Sequence, residues 1–356
     1  MQGKTPLVFV PGFKGCVLVD PQGTTAWLTG TQVLGFPSRS LALPLLWRNG
    51  LQQRDSLSPQ EVLRKITIIP YLLETQLYGP WLETASRISR PFYPFAYDWR
   101  RDNRESVAQL EALIESVMQS HGGKQVQVVA HSMGGLLTLA LLNRRPDLFQ
   151  SVVFAGVPFA GGIGFLPDLH SGTAVGLNRK LLAPEVLFTF PSLYTLFPID
   201  GSGLEDAHGH PVNMDFYSVD GWKNNALGIF SEQRDNLADL EGYLTQALTA
   251  ARSFRGLLRP LEQTYPPIAV LAGRNFPTLA RAMRGGPRSI RGLDFETPPK
   301  EPGDGRVRES SALPPSGIPY RIVYSDREHT QLLNDPVVTD LIENLARAQP
   351  GALQDR

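Results

Sequence analysis

The stretch that most narrows the folds open to this chain is QVQVVAHSMGGLLTLALL, residues 125–142. A β-branched run from Val126 to Ala130 reads as a buried strand, and within one His-Ser pair it becomes a helix from Met133 to Asn143. Small residues stand two before and two after the serine, Ala130 and Gly134, which is the pattern of a nucleophile elbow with Ala in place of the first Gly. So tight a turn leaves no room for side chains at those positions. It lifts the Ser132 hydroxyl above the strand ends, while the helix that follows offers the Met133 N–H and a positive dipole end to a developing oxyanion. An ordinary turn with Ser132 as N-cap is the plainer alternative, and the flanking periodicity weighs against it.

The rest of the chain has the alternation that such a corner requires. Leu7 to Val10 and Phe92 to Ala96 read as extended segments, followed by a helix from Arg104 to Gln119 with Val107, Leu110, Leu113, Ile114 and Val117 at helical spacing. Ser151 to Ala155, IAVLAG at Ile268 and YRIVYS at Tyr320 are further strands, and a helix from Pro336 to Ala348 closes the chain. Strand and helix in turn predict an α/β fold, with a mostly parallel sheet and helices on both faces. We expect a single domain over residues 1–356. Residues 20–91 and 160–265 interrupt the rhythm, and structureless loops that long are uncommon in a compact domain, so both are expected to be cap insertions. Residues 284–319, dominated by Gly, Pro and Arg, read as a surface excursion of poor order.

Composition removes some classes of function. The 34 basic and 34 acidic residues cancel, so nothing electrostatic favours a nucleic-acid partner. Cys16 is the only cysteine, which rules out an intrachain disulfide and any need for an oxidising compartment. No signal-peptide pattern precedes PLVFV, and no apolar run approaches the ~18 residues of a membrane span. The expected location is the cytoplasm, with peripheral contact to a lipid surface.

A serine nucleophile needs a base and an orienting acid, supplied in chain order Ser, Asp or Glu, His by loops after later strands. Of the six histidines, His131 is inside the elbow with its side chain expected to point away from the hydroxyl. His121 ends a surface helix, and His170, His208 and His210 lie in insertion sequence. Only His329 follows a late strand and precedes the final helix, so it is the candidate base. Asp304, in EPGDGRV, is preferred as the acid over Asp326, which is too close to His329 in sequence to reach its Nδ1 comfortably. The second oxyanion donor is expected from VFVPGFKG, where Gly12 lets the Phe13 N–H approach.

VFVPGFKG, AYDWRR, AHSMGG, GVPFAGG, FPSLYTLFP and GDGRV, in this order, resemble the motifs of the lecithin:cholesterol acyltransferase family, which includes lysosomal phospholipase relatives. The resemblance covers most of the chain. It implies an α/β-hydrolase fold with a lipid-binding subdomain, a cap and a lid, and an enzyme that transfers or hydrolyses acyl groups of phospholipid esters through an acyl-serine. Carried over by position, it implies catalytic Ser132, Asp304 and His329, with Phe13 and Met133 as oxyanion donors, in agreement with the reading of the residues. No cofactor and no metal is called for. The resemblance also places a lipid-surface segment at LALPLLWRNG, with Leu41, Leu43, Leu45, Leu46 and Trp47 as contacts, and a lid at about residues 163–188.

Departures bear on the substrate more than on the triad. Arg306 replaces the usual Thr of the acid loop, Thr-Gln-Leu-Leu follows His329, and the disulfide of animal members is impossible. Tyr97, Trp99 and Arg100 of YDWRR are expected to pack and hydrogen-bond beneath the cap. Two alternatives stay open: an esterase or thioesterase on smaller acyl esters, and a non-catalytic lipid-binding protein on a hydrolase fold. The intact Ser, Asp, His order argues against the second.

Overall fold

Strand β1 (Leu7–Val10) carries four fully buried apolar residues in succession. Such a strand needs cover on both faces of its sheet. In this computed structural model, which describes residues 4–69, 73–88, 90–232, 235 and 237–347, five strands join it in parallel. They are β2 (Phe92–Pro94), β3 (Val126–His131), β4 (Phe149–Ala155), β5 (Ile268–Gly273) and β6 (Arg321–Ser325), in the spatial order β6-β5-β4-β3-β1-β2.

The two-residue period of the strands divides the core. Val8, Val10, Val128 and Ala130 cluster with helices α1 (Asn103–Ser120), α2 (Met133–Arg144) and α3 (Leu237–Gly256). Leu7, Phe9, Val129 and Val153 cluster with α4 (Val337–Arg347). Each fully buried Val, Leu or Phe is worth about 1.5–3 kcal/mol. Helix α1 begins where the Asp102 carboxylate accepts the Arg104 N–H, and its buried stripe, Val107, Leu110, Ile114 and Val117, has the spacing expected from the sequence. The chain leaves β1 for β2 on one side and returns to β3 on the other. The crevice at the carboxyl ends of β1 and β3 is therefore the topological switch point, where open α/β sheets bind ligands.

The insertions have structure of their own. A three-stranded antiparallel sheet (Thr25–Trp27, Cys16–Val19, Ser58–Val62) and a helix (Gly79–Arg87) lie between β1 and β2. Between β4 and β5 come short helices, the hairpin Thr173–Val175 with Asn178–Leu182, and then α3. Residues 160–265 are not cap throughout, because α3 packs on α1 and shares its core. It is the covering helix that the parallel connection from β4 to β5 requires.

Two further expectations are corrected. Residues 284–319, expected to be an irregular surface excursion, have regular structure. They include the strands Leu293–Asp294 and Lys300–Gly303, and the buried Asp294 carboxylate accepts the N–H groups of Arg288, Glu296 and Thr297 and the Thr297 hydroxyl. One buried carboxylate organises a loop that few large apolar residues could. In the predicted lipid-surface segment, Leu41 and Leu43 belong to the core. The Leu41 carbonyl accepts Arg100 Nη1 at 2.9 Å and the Leu43 N–H donates to Thr189 Oγ1 at 2.9 Å, which fastens both inward. Leu45 and Leu46 stay exposed, and the half-buried Trp47 leans on Tyr243 of α3.

Candidate active site

Ser132 follows β3 with φ 53° and ψ −129°, a left-handed backbone that costs a non-glycine residue about 1–3 kcal/mol. Its N–H donates to the Ala155 carbonyl at 2.9 Å. A Cβ on Gly134 would stand 2.4 Å from the Pro11 carbonyl oxygen, and one on Gly135 would stand 2.1 Å from Val157 Cγ2. Neither position admits a side chain, so α2 starts hard against the ends of β1 and β4. Ala130 is buried and fits at the position where the elbow pattern has its first Gly.

The loops after β5 and β6 bring the other two residues to the serine. Ser132 Oγ lies 2.9 Å from His329 Nε2, and His329 Nδ1 lies 2.8 Å from Asp304 Oδ2. Asp304 Oδ1 accepts the N–H groups of Arg306 (2.9 Å) and Val307 (2.7 Å), and the His329 N–H donates to the Asp304 carbonyl at 2.9 Å. Burial pushes the Asp304 carboxyl up, but the charge and hydrogen bond of His329 with these N–H groups outweigh it and hold the carboxyl below its ordinary value. An ionised Asp304 can only accept, so Nδ1 carries the hydrogen and Nε2 is left to accept from the serine hydroxyl. Asp326 is exposed and bonded to Asn275, away from this line. The remaining histidines have other partners: His121 meets Tyr93, His170 lies between Ile290 and Gly228, and His208 and His210 sit on Asp206.

Among the described residues, the N–H groups of Phe13 and Met133 have no hydrogen-bond acceptor. Met133 opens α2, where backbone donors lack an intrahelical partner. Phe13 follows Gly12, and a Cβ on Gly12 would stand 2.8 Å from Ser132 Cβ. The Phe13 turn is held from two sides. Tyr97 Oη donates to the Pro11 carbonyl at 2.9 Å, and Gly12 N–H donates to Tyr78 Oη at 3.0 Å. Trp99 Nε1 reaches the Cys16 carbonyl and Arg100 joins Asp98 to Asp55, so YDWRR has the packing role expected of it.

Sequence reading missed Tyr78. Its hydroxyl donates to His131 Nδ1 at 2.6 Å, and His131 Nε2–H donates to the His329 carbonyl at 2.9 Å. A buried chain thus joins the Phe13 turn to the His329 loop, with the His131 ring turned away from Ser132 Oγ. Burial, followed by the charge of His329, holds the His131 imidazole down to about 3. No motif marks a lone tyrosine inside an insertion, so nothing in one sequence points to it.

A cavity of about 300 Å³ lies over Ser132 and His329, walled by Trp27, Leu28, Leu77, Phe165 and the strand Thr173–Val175. Residues 163–188, the expected lid, contribute Phe165 and that strand. Among the described residues, no group of three His, Cys, Asp or Glu side chains could hold a metal ion.

A parallel sheet with covering helices and a serine elbow at its switch point defines the α/β-hydrolase class. Residues 89–235 match the family model described as lecithin:cholesterol acyltransferase. It is 27% identical over 232 residues to lecithin-cholesterol acyltransferase-like 4 of Arabidopsis thaliana, covering 54% of this chain and 42% of that one. To the lysosomal phospholipase A and acyltransferase of Canis lupus familiaris it is 39% identical over 84 residues, 21% of this chain and 20% of that one. The matches span under half the length of these curated relatives. The solved structure described as the Tle4-Tli4 complex shares the fold, with a TM-score of 0.59 at 15% identity, covering 98% of this chain and 100% of that one.

Proposed function

We propose that this chain is a serine-dependent lipid acyltransferase or phospholipase that works through an acyl-serine. The observation that carries this reading is the unbroken line from Ser132 Oγ through His329 to the buried Asp304 carboxylate, beneath an apolar cavity. The match to the family model and the names of the relatives support the lipid substrate class.

In this mechanism His329 Nε2 takes the Ser132 proton as Oγ attacks an ester carbonyl, and Asp304 keeps the hydrogen on Nδ1 and stabilises the imidazolium. The Phe13 and Met133 N–H groups, free of other acceptors among the described residues, receive the tetrahedral oxyanion. His329 then protonates the leaving alcohol and the acyl-enzyme remains. Water releases a fatty acid; a lipid hydroxyl in its place yields a new ester. Contact with a lipid surface falls to Leu45 and Leu46, the exposed remainder of the apolar segment.

Labelling with a fluorophosphonate probe tests the nucleophile. The adduct is expected on Ser132, and Ser132→Ala is expected to lose both the adduct and turnover, by roughly 10⁴ to 10⁶ in kcat. An adduct elsewhere, or a Ser132→Ala variant that keeps most of its activity, refutes the assignment. Mass spectrometry of products from mixed phospholipid vesicles with candidate acceptors separates hydrolysis from transfer.

A further inference from the structure

The cavity over Ser132 is largely apolar, yet two cations, Lys14 and Arg306, line it, and among its described lining residues there is no Asp or Glu. Lys14 Nζ lies 5.4 Å from the centre of the Phe13 ring, and the Arg306 guanidinium carbon lies 5.1 Å from the centre of the Phe165 ring. These two rings meet edge to face 5.9 Å apart, so the cations flank one aromatic pair beside the expected oxyanion turn.

Arg306 is already committed. Its Nη1 donates to the Gly164 carbonyl at 2.8 Å and its Nη2 lies 3.2 Å from Asp168 Oδ2. Lys14 is not: among the described residues its ammonium has no hydrogen bond and no carboxylate within ion-pair distance, only the Phe13 ring. A half-buried charge without a counter-ion is costly. Burial accordingly pushes the Lys14 ammonium below the ordinary lysine value, against the pull of Asp168 and with the push of Arg306. The backbone adds a second observation. Lys14 has φ 64°, a left-handed conformation that favours glycine. A glycine would make the turn with less strain, so a lysine there points to a use for its side chain.

We propose that Lys14, with Arg306 beside it, receives an anionic group of the substrate, so that the acyl esters best turned over at Ser132 carry a phosphate with no balancing cation. This rests on the acyl-serine reading above. A phosphate oxygen would give the Lys14 ammonium the counter-ion it lacks. A choline head group would bring a third cation to a wall that has no lining carboxylate, and a neutral acylglycerol would leave Lys14 unpaired.

The experiment compares dihexanoyl phosphatidate, dihexanoyl phosphatidylcholine and dihexanoylglycerol as dispersed monomers, so that no membrane surface charge contributes. The kcat/KM for phosphatidate is expected to exceed the other two by about ten-fold or more. In Lys14→Met that preference falls toward unity, and in Lys14→Arg it returns. Equal turnover of the three by the unaltered protein, or a preference for the choline lipid, overturns the inference without reference to any variant. Equal losses on all three in Lys14→Met overturn it as well, since they make Lys14 a support of the Phe13 turn alone. A fluorophosphonate adduct on Ser132 with no turnover of phosphatidate sinks this inference only; absence of both adduct and turnover in the unaltered protein sinks the acyl-serine reading instead.

Discussion

At the floor of the cavity, Ser132, His329 and Asp304 are buried, and the polar atoms that face one another are all paired. Along the wall the pairing is incomplete: among the described residues Lys14 has no counter-ion within ion-pair distance and the buried Thr173 Oγ1 has no hydrogen-bond partner. The floor is also closed sterically, since Gly12, Gly134 and Gly135 leave no space for a Cβ. The wall comes from insertions that only skirt the sheet. This contrast separates two tasks. Under the proposed acyl-serine mechanism, the geometry for bond breaking is built before any ligand arrives, whereas the groups left unsatisfied on the wall would discriminate between ligands.

The largest effect expected from breaking the floor, apart from loss of the serine, is at the acid. Asp304→Asn leaves the shape of the site but favours the wrong His329 tautomer, and kcat should fall by about 10⁴. Asp326→Asn, on an exposed side chain, should change kcat less than two-fold, a threshold of roughly 0.4 kcal/mol. Steady-state rates on one soluble ester check both, and the reverse outcome would move the acid to Asp326.

A smaller effect tests whether the floor extends through the insertion that supplies Tyr78. Tyr78→Phe strands the Gly12 N–H and His131 Nδ1, a loss of about 1–3 kcal/mol if both stay buried. In the proposed mechanism the Phe13 N–H receives the oxyanion, so kcat should drop about ten- to hundred-fold with KM little changed. A matching rise in KM with kcat intact would assign Tyr78 to the wall.

The same chain has a signature in stability. His131 titrates at about 3 in the fold, against about 6.5 when unfolded. Below pH 6.5 the unfolded chain binds the extra proton, so this contribution is complete above pH 6.5 and is lost as pH falls from there toward 3. The slope is at most ~1.4 kcal/mol per pH unit. Denaturant titrations at pH 7.5 and 5.5 should show the unaltered protein losing about 1 kcal/mol more than His131→Asn. Equal losses would mean that His131 is hydrated and takes up a proton in the folded protein.

The smallest effect lies outside the cavity. Leu45 is about 40% exposed, so it has limited additional surface to bury against lipid, worth under about 1 kcal/mol. Leu45→Asp should weaken vesicle co-sedimentation by up to about five-fold, with turnover of a soluble ester measured alongside to report folding. Unchanged co-sedimentation would leave Leu45 and Leu46 as a plain surface pair.

What could be read without coordinates was local or periodic. The elbow was legible because a turn with no room for side chains restricts the residues around it, and β1, β3, β4 and β5 because buried strands are dominated by apolar residues. Elimination among six histidines reached His329, since position after a late strand is a property of the chain order. Tertiary structure decided the rest. Leu41 and Leu43 looked like their neighbours Leu45 and Leu46, and only contacts with Arg100 and Thr189, distant in sequence, turned one pair inward and left the other exposed. Helix α3 was hidden inside an apolar insertion until its packing on α1 distinguished it. Tyr78 joins His131 across 53 positions of chain, and Lys14 is notable only because, among the described residues, folding brings no carboxylate within ion-pair distance of its ammonium. Spacing along a chain encodes which residues share a face; which groups end up paired depends on surfaces that meet only after the insertions close over the sheet.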